Sequence, residues 1–182
     1  MRVVGGELGG RQLLAPKGRK VRPTPERVRE ALFSALGDIA GARVADLYCG
    51  TGALGIEAVS RGAAEAVLVD RDTLPAMGNI HNLGLVDRVE LVKADAAAWA
   101  ASGAGGRQFD LILLDPPYRR AAEPAPGFDD VLGSILAPEG RVVVESEAGR
   151  PFELPSLETV RERRYGRTLV TFLVHPSSPE RK

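Results

Sequence analysis

The sequence predicts an α/β fold: a doubly wound, Rossmann-like sheet, mostly parallel, closed by an antiparallel hairpin and preceded by an N-terminal β-hairpin and helix. Three observations carry this expectation. Phe109-Asp110-Leu111-Ile112-Leu113-Leu114 ends in four consecutive aliphatic residues without alternation, the pattern of a strand buried on both faces. Shorter runs of the same kind alternate with helical segments from Arg43 to Glu145. Two late runs, Leu157–Arg164 and Thr168–Val174, flank Tyr165-Gly166-Arg167 as a hairpin would.

Taken in order, residues 1–23 place Gly5-Gly6-Glu7-Leu8-Gly9-Gly10 between Val3-Val4 and Leu13-Leu14, a glycine-rich hairpin followed by a basic link. The segment is too short for a core of its own, so it is expected to lean on the main domain or on a ligand. A helix is expected from Thr24, with Thr24 as N-cap and Pro25 at the first helical position. Val28, Ala31, Leu32, Ala35 and Leu36 form its apolar face, and Gly37 stops it. Arg27, Arg29 and Glu30 lie off that face, on a solvated or substrate-facing side.

Strands are expected at Arg43–Tyr48, Ala66–Asp70, Val89–Lys93, Phe109–Leu114 and Arg141–Glu145. Helices are expected between them, after Gly52, from Asp72 or Thr73 to Gly84, after Asp95, and over Phe128–Leu136. The division is residues 1–23 as a basic N-terminal extension and residues 24–182 as the main domain.

Composition bounds the function. The chain has 182 residues, 44% hydrophobic and 26% charged, which suits one globular domain. No run approaches a membrane span, so no membrane partner and a cytoplasmic location are expected. One cysteine excludes an internal disulfide, and with only two histidines no Cys/His zinc cluster can be built, so no metal is expected. A net charge of zero hides an asymmetry. Residues 1–36 hold eight basic and three acidic residues, residues 37–149 nine and seventeen, and residues 150–182 seven and four. Basic ends around an acidic middle fit an anionic partner gripped at the periphery, although basic ends can also be merely solvated.

The candidate site is a set of strand ends. Gly50-x-Gly52-x-x-Gly55 follows the first strand, and glycines there let the backbone approach a ligand. Asp70 ends the second strand, where an acid accepts from ribose hydroxyls. Asp95 follows the third, placed to accept from an adenine amine. After the fourth come Asp115-Pro116-Pro117-Tyr118. The prolines stiffen the turn and donate nothing, so the carboxylate of Asp115 and the carbonyl of Pro116 offer acceptors beside the ring of Tyr118. Such a holder suits a flat exocyclic amine, whereas a nicotinamide enzyme would share the glycines and Asp70 without needing this clamp. Cys49, His81, His175, Trp99 and Phe128 are expected to be packing or surface residues, and Glu57 structural.

Asp46-Leu47-Tyr48-Cys49-Gly50-Thr51-Gly52-Ala53-Leu54-Gly55 together with Asp-Pro-Pro-Tyr resembles the S-adenosylmethionine-dependent amino-methyltransferases. Arg22-Pro23-Thr24-Pro25-Glu26-Arg27-Val28-Arg29-Glu30-Ala31-Leu32-Phe33 and Gly52–Gly62 are similar to the RsmD family, which methylates the N2 amine of one guanine in bacterial small-subunit (16S) ribosomal RNA. The resemblance runs from Val3 to about Leu173. It implies that Asp46, Tyr48, Gly50, Thr51, Gly52 and Gly55 hold the methionine part of S-adenosylmethionine. Asp70 and Arg71 would lie at the ribose and adenine, Asp95 and Ala96 at the adenine. Asp115, Pro116, Pro117 and Tyr118 would hold the target base. Arg11, Lys17, Arg19, Lys20, Arg22, Thr24 and Arg27 would meet the RNA, as naked RNA or an assembled small subunit, and the protein would act as a monomer. The same clamp serves DNA-adenine N6 and protein-glutamine enzymes. A silent nucleic-acid-binding module would keep the basic ends but has no need of acids at successive strand ends.

Overall fold

A computed structural model describes residues 1–15, 24–116, 124 and 126–176. Seven strands form one sheet: β1 (Arg43–Leu47), β2 (Glu65–Asp70), β3 (Val89–Lys93), β4 (Phe109–Leu114), β5 (Leu136–Glu147), β6 (Glu158–Tyr165) and β7 (Thr168–Val174). Their order is β3-β2-β1-β4-β5-β7-β6. The first five are parallel, whereas β7 runs antiparallel to both β5 and β6. The chain therefore reverses its direction of winding between β1 and β4, and such a switch point opens a crevice at the carboxyl ends of the strands.

Five helices are described: α1 (Glu26–Leu36), α2 (Ala53–Ser60), α3 (Leu74–Leu83), α4 (Ala96–Ala101) and α5 (Phe128–Ile135). Strand alternation sorts them into two layers. Val44, Leu68, Leu111, Leu113 and Val143 point to the face covered by α1, α2 and α3. Their neighbours Ala45, Leu47, Val67, Val69, Ile112, Leu114, Val142 and Val144 point to the face covered by α4 and α5. Burial on both faces is why β4 reads as an unbroken aliphatic run.

The N-terminal hairpin is reduced to one antiparallel bridge, Arg2 to Gln12. The segment leans on the main core, as its length requires: Val3 is fully buried and Leu13 nearly so, in the cluster that α1 and α2 line. Buried Glu57 on α2 accepts from the N–H groups of Val4 (2.7 Å) and Gly5 (2.8 Å) and from Arg61 Nε (2.7 Å), which gives it a structural role.

Three local expectations are corrected. Pro25 is itself the N-cap of α1, with no side-chain cap bond, and the helix begins at Glu26. Thr24 is drawn off by stronger acceptors in the sheet. Arg29 is fully buried, because its guanidinium donates to the backbone carbonyls of Thr24 and Arg2 and so ties both segments to α1. Strand β5 starts at Leu136, since Leu136 already pairs with Phe109 before a register shift.

Candidate active site

The site begins where β1 ends. Asp46 is the fourth residue of β1 and shares the face of Val44, toward α2. Its Oδ2 accepts the Gly55 N–H at 2.8 Å, while Oδ1 is buried with no hydrogen-bond partner among the described residues. Burial, with the charge of Asp70 adding to it, raises the Asp46 carboxyl to a pKa of about 7. The backbone then turns sharply. Tyr48 has φ 64°, unusual for a residue with a side chain, and Gly50 (φ 53°) and Gly52 (φ 76°) follow in the same left-handed region.

Strand β2 braces this turn. Asp70 Oδ2 accepts the Gly50 N–H and Oδ1 the Asp72 N–H, each at 2.9 Å, so the carboxylate is fixed with lone pairs to spare. Asn79, buried on α3, donates to the carbonyls of Thr51 (2.9 Å) and Leu14 (3.1 Å) and accepts from the Leu14 N–H (2.7 Å). It thereby pins the glycine turn to the N-terminal segment. Asp95 caps α4 by accepting from the Ala98 N–H at 3.0 Å and pairs with Arg71. The Ala98 N–H, with help from Arg71, holds its carboxyl below the ordinary range. Ala96, next to it, is buried.

The second half lies across the switch point. Asp115 follows β4 by one residue, and its N–H donates to the Leu47 carbonyl at 3.5 Å. Leu113 pairs with Asp46 across β1 and with Val143 across β5, so alternation turns Asp115 to the same face as Asp46. Thr24, almost fully buried, directs its hydroxyl to Asp115 Oδ2 (3.0 Å) and Glu145 Oε2 (2.6 Å). Burial, and next the charge of Glu145, raises the Asp115 carboxyl well above the ordinary carboxylate range. Pro116, the next residue, is buried.

The structure thus brings Asp46, Tyr48, Gly50, Thr51, Gly52, Gly55 and Asp70 together at one turn, with Arg71, Asp95 and Ala96 on the neighbouring strand ends. Arg11 and Arg27 are exposed, and Thr24 faces the two carboxyl groups. Lys17, Arg19, Lys20, Arg22, Pro117 and Tyr118 lie outside the described residues. Sequence reasoning missed Glu145 and Asn79. The only signal for Glu145 was an acid closing the apolar run Val142-Val143-Val144 at a position that alternation turns inward. Cys49 is buried, and burial raises its thiol pKa, which fits a packing role. Trp99 packs on Phe109 with ring centroids 5.9 Å apart. No helix among the described residues is long and apolar enough to cross a membrane, and none of their His, Cys, Asp and Glu side chains cluster as a metal site.

Whether this site fits an adenosyl sulfonium cofactor is answered by Asp46. A buried carboxylate oxygen without a donor is costly unless a cationic or N–H-bearing ligand comes to it. The braced glycine turn, with the Asp70 carboxylate fixed beside it, would offer such a ligand an acceptor for its hydroxyl groups.

Comparison with known proteins agrees with this architecture. The family model described as "Conserved hypothetical protein 95" matches residues 1–174. "Ribosomal RNA small subunit methyltransferase D" of Escherichia coli is 36% identical over 155 residues, covering 81% of this chain and 75% of that protein. "Putative rRNA methyltransferase YlbH" of Bacillus subtilis is 36% identical over 180 residues, 92% of this chain and 95% of that one. The solved structure of "Putative methyltransferase yhhF from Escherichia coli" superposes with a TM-score of 0.81 at 32% identity, over 96% of this chain and 98% of its own. With a family model matching residues 1–174 and relatives 36% identical over most of its length, this chain belongs to the RsmD family of methyltransferases.

Proposed function

We propose that the protein transfers a methyl group from S-adenosylmethionine to the exocyclic N2 amine of a guanine in small-subunit ribosomal RNA. The observation that supports this most is the placement of Asp46 and Asp115 at the ends of adjacent strands, on one face of the sheet, astride the switch point. One acid serves a cofactor and the other a target. Asp46, Tyr48 and the turn of Gly50, Thr51, Gly52 and Gly55 would hold the methionine part, Asp70 with Arg71 the ribose side, and Asp95 with Ala96 the adenine. When bound, the cofactor supplies an already activated methyl group, so placement provides much of the rate.

The residues of the chain then act on the amine. The nitrogen of a guanine N2 amine is a poor nucleophile because its lone pair is delocalised into the ring. Hydrogen bonds from the amine to Asp115 and to the Pro116 carbonyl localise that pair. They strengthen as positive charge grows on nitrogen, which stabilises the transition state. Asp115 afterwards accepts the proton that the methylated nitrogen must lose. Tyr118 would stack on the base, returning about 1–3 kcal/mol of the cost of unstacking it. Arg11, Lys17, Arg19, Lys20, Arg22 and Arg27 are proposed to contact the RNA backbone, with residues 1–23 as the basic extension of a domain spanning 24–182. Thr24 belongs beside the clamp. A small-subunit substrate places the enzyme in the cytoplasm, where it is proposed to act as a monomer.

The test is transfer of labelled methyl to small subunits lacking their own modifications, followed by nucleoside analysis of the RNA. N2-methylguanosine is the expected product. Asp115→Ala should bind the cofactor normally while single-turnover transfer falls about 10²–10³-fold. N6-methyladenine in DNA or methylated glutamine as the product would keep the clamp and overturn the substrate.

A further inference from the structure

Behind Asp115 lies a buried arrangement that the reaction described above does not use. Glu145 closes the apolar run of β5 and is 3% exposed, so its carboxyl group is met inside the protein and not by water. Leu114 pairs with Val144, so continuing the register by one residue sets Asp115 beside Glu145. The Thr24 hydroxyl sits between them, 3.0 Å from Asp115 Oδ2 and 2.6 Å from Glu145 Oε2. A hydroxyl carries one proton and can donate only once. Were both carboxyl groups ionised, one of these two contacts would bring lone pair against lone pair. A carboxyl O–H must therefore donate to Thr24 Oγ1 on one side, while Thr24 donates on the other.

We infer that Asp115, Thr24 and Glu145 form a relay that shares one carboxyl proton, with Glu145 as the positioning residue that stores it when Asp115 accepts from a target amine. In one arrangement Asp115 donates to Thr24 and Thr24 to the Glu145 carboxylate. In the other, Glu145 donates to Thr24 and Thr24 to the Asp115 carboxylate. Passing between them moves two protons by one oxygen each in the same direction, and the net charge stays at minus one. The second arrangement leaves Asp115 ionised and oriented. A proton lost by the methylated amine then goes to Asp115, and the surplus leaves to solvent as the product departs.

Charges on neighbouring elements bear on the Asp115 end of the bridge. Asp46 on β1 adds a further negative charge near Asp115, and burial with Glu145 already lifts its pKa. On the other side stands Arg29 of α1, which Glu145, Glu57 and Glu26 all attract. The described hydrogen bonds of Arg29 go to the carbonyls of Thr24 and Arg2, so it steadies the bridge through the backbone.

The role of the stored proton rests on the proposed methyl transfer, whereas the sharing itself can be tested without RNA. Carboxyl-carbon NMR titration of the full, cofactor-free chain should find Asp115 and Glu145 titrating as a coupled pair, one member well above the ordinary range. Glu145→Gln removes a negative charge and should lower the Asp115 pKa by about one pH unit or more. Thr24→Val removes a hydrogen bond to Asp115 and should raise it, and Thr24→Ser should restore the wild-type value. The acid limb of single-turnover methyl transfer should move in the same directions, with cofactor affinity within about twofold of wild type. Should Glu145→Gln fail to fold, the opposite responses of Thr24→Val and Thr24→Ser decide. Independent titration of the two carboxyl groups in the wild type, or an Asp115 pKa unmoved in these variants, overturns the relay even if RNA is methylated. Coupled titration in a protein that methylates no RNA leaves the relay standing and overturns the function.

Discussion

Replacing Asp46 by asparagine should make the cofactor-free protein more stable at high pH and less stable at low pH. The Asp46 carboxyl is 1% exposed, and its pKa is raised from 3.8 to about 7. At 1.36 kcal/mol per pH unit, that difference is worth roughly 4 kcal/mol. The sign follows from which state holds the proton. Below about pH 4 the group is protonated in both folded and unfolded chains, and its full contribution to stability is present. Between about 4 and 7 the unfolded chain ionises while the folded one keeps its proton, so stability falls as pH rises. Above about 7 the loss is complete. Asparagine cannot ionise, and its oxygen can still accept the Gly55 N–H. Its amide nitrogen then takes the place of Oδ1 with two N–H groups lacking an acceptor among the described residues, where the neutral carboxyl has one O–H, at a further cost of about 1–3 kcal/mol. The variant should therefore lose about 1–3 kcal/mol at pH 4 and gain a comparable amount at pH 8.5. Urea unfolding at half-unit steps of pH, with m-values held equal, gives the comparison. A stability difference that stays constant across this range would refute the reasoning.

Three further outcomes are expected. Asp70→Ala should weaken S-adenosylmethionine binding by about 1.5–3 kcal/mol, read by calorimetry on a variant of unchanged thermal midpoint. Glu57→Ala leaves the Val4 and Gly5 N–H groups and Arg61 without their acceptor, and should lower unfolding stability by about 3–5 kcal/mol in urea melts. Removing the charges of Lys17, Arg19 and Lys20 together should reduce the salt dependence of RNA binding by about three phosphate contacts, with cofactor affinity retained. An unchanged salt slope would exclude that segment from the RNA surface.

Asp70 and Asp115 were legible because each closes an apolar run: a parallel strand must stop being apolar where it reaches solvent or ligand. The glycine turn was legible because Gly50 and Gly52 occupy backbone angles that other residues avoid. What the sequence hides is contact between distant segments. Thr24 before Pro25-Glu26 has the local signature of a helix cap, yet two carboxyl groups at the strand ends hold its hydroxyl. Arg29 sits at a position that helical periodicity assigns to the outside, but the N-terminal segment and the 24–25 turn fold over it. Glu145 shows in the sequence only as an acid closing an apolar run, because the groups of its bridge, Asp115 and Thr24, lie 30 and 121 residues earlier in the chain. Local propensity decides elements, and tertiary pairing decides which polar side chains are withdrawn from them.

The placement of Glu145 also bears on how the molecule is made. The acids proposed to meet the cofactor, Asp46, Asp70 and Asp95, come from the ends of three consecutive strands that pair with near neighbours in sequence. The bridge at Asp115 requires Thr24 to wait until β5 has been synthesised and paired with β4. Closing so long a loop is entropically costly, and nonlocal parallel pairing is slow. During refolding, order is expected first around Asp46 and Asp70 and last around Asp115. A refolding intermediate able to bind the cofactor before it can react is the kinetic signature of that sequence of events.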